Sequence, residues 1–118
     1  MRIAIVGGRD YPDLEAVWIF VKKLAERCPD AVIISGGARG VDTTAAASGR
    51  VHGLTVVEYE PEWDKYGPRV APLMRNTTII DDCDKVVAFW DGVSTGTKDS
   101  MTKAEDRGKK VTVVPPRR

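Results

Sequence analysis

The sequence predicts one Rossmann-like, doubly wound α/β domain, with a five-stranded parallel sheet and helices on both faces. Three observations carry that prediction. Five short runs rich in Val and Ile alternate with longer mixed segments. The runs are almost unbroken in apolar residues, as strands covered on both faces of a parallel sheet are. Polar, glycine-rich turns follow the first, second and fourth runs. A chain of 118 residues suits a single domain.

Strands are expected at Ile3–Val6, Ala31–Ile34, Leu54–Val57, Lys85–Trp90 and Val111–Val114. The first helix is expected over Leu14–Arg27, because Leu14, Val17, Trp18, Val21 and Leu24 recur at helical spacing and Asp13 can cap the start. That phase places Trp18 in the core. Val41–His52 is alanine-rich and ends at Gly53, a natural helix stop. Val70–Asp82 and Thr95–Arg107 complete the set, with Gly108 closing the last. The β-α-β-α rhythm implies parallel strands joined by right-handed crossovers. Glu60–Pro68, with two prolines, is expected as the longest loop. Residues 1–114 form the expected domain, and 115–118, Pro-Pro-Arg-Arg, a flexible tail.

Composition narrows the function. Hydrophobic content of 42% and charged content of 30% are ordinary for a soluble globular protein. A formal net charge of +1 gives no general attraction to nucleic acid, which is therefore not the expected partner. Cys28 and Cys83 form no C-x-x-C pair, and the single His52 makes no zinc set. Free thiols in a reducing cytoplasm are expected, with no metal and no cofactor. No apolar run approaches the roughly 18 residues that span a bilayer, and the N-terminal run is too short for a signal peptide. A cytoplasmic protein with no membrane partner is expected.

Ligands of open parallel sheets bind beyond the carboxyl ends of the strands, where the glycines of this chain fall. The first strand is followed by Gly7-Gly8-Arg9-Asp10, the second by Ser35-Gly36-Gly37-Ala38-Arg39-Gly40-Val41-Asp42, the fourth by Asp91-Gly92-Val93-Ser94-Thr95-Gly96-Thr97. Glycine lets a ligand approach the backbone with no Cβ in the way. The free N–H groups of a helix's first turn then point at the ligand, and the helix dipole favours an anion. The candidate binding residues are accordingly Gly7, Arg9, Ser35, Gly36, Gly37, Gly40 and Asp42, with Asp91, Gly92, Ser94, Gly96 and Thr97 from the fourth-strand turn. Arg75 and Asn76 join them, since arginine matches phosphate with a fork of donors. Arg39 is placed between the cleft and the solvated surface. Asp42 can complement its helix N-terminus or accept from a ribose hydroxyl. Trp63 and Trp90 are candidates to stack on a base, Trp90 being weighted toward core. The absence of G-x-x-x-x-G-K-[ST] argues against P-loop ATP hydrolysis, and the absence of G-x-G-x-x-G after the first strand against a standard NAD site.

Several of these motifs occur together in a known order. The opening Gly7-Gly8-Arg9-Asp10-Tyr11 and the Ser35–Asp42 turn are followed by Pro61-Glu62-Trp63 and Tyr66-Gly67. Then come Arg75-Asn76, and Ala88-Phe89-Trp90-Asp91-Gly92 with Ser94 and Gly96-Thr97. Together they resemble the YspA-like branch of the SLOG superfamily. That superfamily joins cytokinin-activating phosphoribohydrolases with the DNA-processing protein DprA. The resemblance implies a Rossmann-like fold, a nucleotide or nucleotide-derived phosphorylated ligand, and a homodimer. The phosphoribohydrolases carry G-G-x-G-T-x-x-E, whose glutamate serves cleavage. Here Gly96-Thr97 is kept and Ser100 stands at the glutamate position. Asp99 is adjacent but about 100° away around a helix.

A binding or sensing module is therefore the first functional expectation. A phosphoribohydrolase or other N-glycosidic-bond-cleaving enzyme, using Asp42, Asp91 or Asp99, is the second. A DprA-like single-stranded-DNA accessory protein is the third. No catalytic residue is assigned.

Overall fold

The computed structural model describes residues 1–117. Nine elements follow in order: β1 (Arg2–Gly7), α1 (Leu14–Arg27), β2 (Val32–Ser35), α2 (Val41–Val51), β3 (Thr55–Glu58), α3 (Trp63–Asp82), β4 (Lys85–Phe89), α4 (Thr95–Asp106) and β5 (Lys110–Val114). All neighbouring strands run parallel, in the order β3-β2-β1-β4-β5. The predicted doubly wound five-stranded sheet is present.

Strand alternation sorts the core into two layers. On β1, Ile3 and Ile5 face one side with Val17 and Val21 of α1 and Val41 and Ala45 of α2. Ala4 and Val6 face the other, with Ile79 and Ile80 of α3 and Met101 and Ala104 of α4. Because successive Cβ atoms point to opposite faces, a central strand with helices on both sides must be apolar at every position. The register follows, pairing Ile3 with Ile33 and Lys85, and Ala4 with Ile34 and Val86.

Four local expectations are corrected. The Glu60–Pro68 segment is not one loop, since α3 begins at Trp63 and is broken at Gly67, whose φ of 76° and ψ of 173° are non-helical. Pro68 follows the break, and the first turn of a helix tolerates proline because its N–H has no intrahelical partner there. A proline that reads as a loop signal in sequence is here a helix opener. Trp18 is half-buried rather than core. It lies on the seam between α1 and α2, its ring edge-on to His52 at 5.6 Å between centroids, and its carbonyl accepts from Ser48 Oγ at 2.9 Å. Leu14 is also exposed. The helix thus turns Val17 and Val21 inward and leaves the start of its stripe outside. Trp90 lies one residue beyond β4.

After β5 the chain returns to the start of α1. Arg117 donates to both carboxylate oxygens of Asp13, at 2.7 and 2.8 Å, and its N–H donates to Asp13 as well. Arg118, the last residue of the expected tail, lies outside the described residues. Among the described residues no helix is long and apolar enough to cross a membrane.

Candidate functional site

The strand order reverses direction between β1 and β4. From β1 the chain winds through α1 and α2 on one face to β2 and β3. It then crosses to the opposite face through α3 and α4, reaching β4 and β5. The loops after β1 and β4 leave toward opposite faces, and such a switch point opens a crevice. A cleft of about 470 Å³ lies there, walled by Gly7–Asp10 on one side and by Asp91 and Val93–Thr97 on the other. Pro72, Leu73, Arg75, Asn76 and Ile79 of α3 supply a third wall, with Val6, Ala38, Asp42 and Ser100 completing the lining.

The β4–α4 wall is built by side-chain caps. Asp91 Oδ1 accepts from the N–H groups of Val93 and Ser94 at 2.8 and 2.9 Å. Those two donors hold the Asp91 carboxyl below the usual range. Ser94 is the N-cap of α4, its Oγ accepting from Thr97 N–H at 3.4 Å and lying 3.0 Å from Thr97 Oγ1. The N–H groups of Thr95 and Gly96 have no acceptor among the described residues. Such unpaired first-turn donors, at the positive end of a helix, attract anions. Asn76 ties α3 to this turn, donating to Gly96 O at 3.4 Å and Asp99 Oδ2 at 3.2 Å. Asp99 is also paired with Lys103 at 2.9 Å and does not line the cleft. Ser100 does, buried, with its hydroxyl donating to Gly96 O at 3.4 Å.

Asp42, a buried acid in the first turn of α2, lies near Arg75, a half-buried cation on the α3 wall. Asp42 is 6% exposed, and its Oδ2 accepts from Ala38 N–H at 3.2 Å. Burial pushes its carboxyl up to about 6, against the opposing pull of the Arg75 and Arg9 guanidinium groups and the Ala38 N–H. Arg75 Nη1 donates to Gly36 O at 2.5 Å and Nε to Asn76 Oδ1 at 3.1 Å. Its own pKa is drawn down by burial. Two of the five guanidinium donors are thereby used, and Arg75 still faces the cleft. Arg9 lines the same cleft from the β1 loop.

Of the candidate residues from sequence, Gly7, Arg9, Asp42, Arg75, Asn76, Asp91, Ser94, Gly96 and Thr97 meet in this cleft. Gly36 and Gly37 line an adjoining groove with Arg9 and Arg75. Ser35 lies beneath the site, fully buried, its hydroxyl donating to the Asp42 carbonyl at 3.3 Å. Gly40 packs against the backbone of Gly8 and Arg9, and Gly92 adopts a φ of 87° in open space. Arg39 reaches outward to Asp10 at 3.4 Å, both side chains being exposed. Thr95, which the sequence offers with Ser94 and Thr97 as a hydroxyl donor of the fourth-strand turn, lines the cleft too. Sequence reasoning did not place Pro72, Leu73 and Ile79 there, because their side of α3 is set by how that helix crosses the sheet.

The family model described as "YspA, cpYpsA-related SLOG family" matches residues 1–66, more than half of the chain. The Gene 61 protein of Mycobacterium phage D29 is 30% identical over 113 residues, covering 91% of this chain and 90% of that protein. Among solved structures, DNA processing protein A (DprA) from Streptococcus pneumoniae superposes with a TM-score of 0.81 at 19% identity, over 98% of this chain and 50% of that one. DNA processing protein A from Helicobacter pylori, described for its single-stranded DNA binding mode, gives 0.70 at 23% identity, over 99% of this chain and 66% of that one. This chain thus spans half the length of the S. pneumoniae protein. At those identities the structural likeness is one of fold. The glycine-rich turns, the parallel sheet and the matched family model agree, and the chain belongs to the YspA, cpYpsA-related SLOG family.

Proposed function

We propose that the cleft at the β1/β4 switch point binds a nucleotide or nucleotide-derived ligand through its phosphate. One observation carries this reading. The unpaired N–H groups of Thr95 and Gly96, the Ser94 and Thr97 hydroxyls, and the guanidinium groups of Arg9 and Arg75 converge on a single cleft. Family membership supports it, since the resemblance of the sequence to SLOG proteins implies ligands of this class. The net charge of +1 favours a small anion over a polyanion such as nucleic acid.

The test is thermal stabilisation by adenosine monophosphate against adenosine. At ten times its Kd a ligand stabilises the folded state by about 1.4 kcal/mol, roughly 5 °C in a domain of this size. The monophosphate is expected to give a shift of that order and the nucleoside none, with Arg75→Met removing the effect. Equal shifts from both compounds would refute a phosphate-centred site.

A second reading is favoured by Asp42 alone. Of the three carboxylates weighed for acid–base work, Asp91 is held by two N–H groups and Asp99 by Asn76 and Lys103. Asp42 is buried in the cleft with a pKa near 6, suited to proton transfer near neutral pH. In this reading Asp42 serves N-glycosidic cleavage in place of the glutamate that Ser100 replaces. Chromatography of adenosine monophosphate incubated with the protein separates the two. The binding reading expects no free base. Turnover that disappears in Asp42→Asn would establish the enzyme.

A further inference from the structure

Beside the main cleft lies a second groove of about 300 Å³. The two share Arg9, Ala38, Pro72 and Arg75 and are therefore continuous. The groove's own walls are Gly36 and Gly37 after β2, and Glu60, Pro61 and Trp63 at the entry to α3. Trp63 is 49% exposed. The other two tryptophans are engaged. Trp18 meets His52 edge-on. Trp90 donates from Nε1 to Ser94 O at 3.0 Å and carries Lys98 Nζ over its ring at 5.2 Å. Trp63 has no such aromatic or cationic partner among the described residues. It leaves a large planar surface open on the wall of a groove that also holds two arginines.

We infer that this groove receives the aromatic base of the ligand whose phosphate occupies the main cleft, with Trp63 as the stacking surface; the inference rests on the phosphate reading above. Geometry supports the division. Arg9 and Arg75 stand where groove and cleft join, so one anionic molecule spanning both keeps its charge beside them. The groove's own end offers the Trp63 indole, Pro61 and the bare backbone of Gly36 and Gly37, with Glu60 as its one charged wall residue, and an exposed indole beside a proline suits a flat ring. Every nucleobase has a π-face, so stacking of this kind recognises a base without choosing which one. The ligand class narrows accordingly to a phosphate joined to a planar ring, distinct from a sugar phosphate or inorganic phosphate.

Isothermal titration of adenosine monophosphate and ribose 5-phosphate into wild type, Trp63→Ala and Trp63→Phe tests the assignment. Trp63→Ala is expected to weaken adenosine monophosphate about tenfold, toward the lower end of what loss of one stacked aromatic costs. Ribose 5-phosphate should bind that variant within twofold of wild type, and Trp63→Phe should recover most of the loss. Trp63 is no part of either core layer, so both variants should keep the wild-type circular dichroism. An equal loss for both ligands, or none for either, overturns the inference. If wild type binds ribose 5-phosphate as tightly as adenosine monophosphate, the base subsite falls and the phosphate cleft stands. If it binds neither, the phosphate reading fails and takes the subsite with it.

Discussion

Gly40→Ala should lower the melting temperature by more than 10 °C, through folding and not through ligand contact. Gly40 caps α2 with φ 82° and ψ −124°, a conformation that residues with a Cβ reach only at a cost of about 1–3 kcal/mol. A Cβ there would also lie 2.6 Å from Arg9 O and 2.8 Å from Gly8 O. Those are backbone atoms of the adjacent loop and cannot rotate away, so a further cost of about 1–3 kcal/mol for overpacking applies. The total is a large share of the roughly 5–15 kcal/mol that holds a domain of this kind folded. Gly37 supplies the control. Its φ of 73° is also left-handed, but a Cβ there would meet only Glu58 Oε2, at 3.3 Å, the end of a flexible side chain. Gly37→Ala should cost only about 1–2 kcal/mol. Thermal melts of the two variants decide the matter, and a Gly40→Ala protein melting within 3 °C of wild type would refute the packing account.

Asp42→Asn should remove a pH dependence of stability worth about 3 kcal/mol. The Asp42 carboxyl titrates near 6 when folded against an ordinary value of 3.8. Burial is the main cause, with the nearby Glu58 carboxylate adding to it and Arg75, Arg9 and the Ala38 N–H opposing it. A carboxyl with a raised folded pKa holds its proton more tightly in the folded state. Its contribution is complete below about pH 4 and is lost as pH rises through about 6. Roughly two units of difference correspond to about 3 kcal/mol. Asparagine can still accept from Ala38 N–H and carries no charge to bury. Urea titrations at pH 4 and pH 7.5 should show the Asn variant gaining on wild type by about that amount between the two pH values. An unchanged difference would show that Asp42 is better solvated than its burial indicates.

The main cleft and the adjoining groove were only partly readable before folding. Val and Ile run through both faces of β1 and β4, and short apolar runs alternating with helical segments and glycine-rich turns point to parallel strands between two helical layers. The turn motifs were readable for a similar reason, since glycine and hydroxyl residues before a helix act within their own few residues. Thus Ser94, expected from sequence as a binding residue, caps α4. Gly40 is legible as a special glycine too, but the position demands glycine because of contacts with Gly8 and Arg9, more than thirty residues earlier. Glu60–Pro68 misled because proline marks loops and helix starts alike.

The sequence by itself determined the class of fold, the number of strands and the glycine-rich edge, because each depends on periodicity or on turn chemistry within about ten residues. Only the tertiary structure decided the strand order β3-β2-β1-β4-β5 and hence that the first and fourth turns, some eighty residues apart, face one another. It alone set Arg75 beside Asp42, buried Asp42 until its carboxyl rose toward neutrality, and left Trp63 open on the groove wall while Trp90 was engaged. The physical reason is common to all of these. Burial, electrostatic neighbours and the meeting of loops are set by how layers pack, and the local sequence around any one of these residues carries no record of what will lie against it.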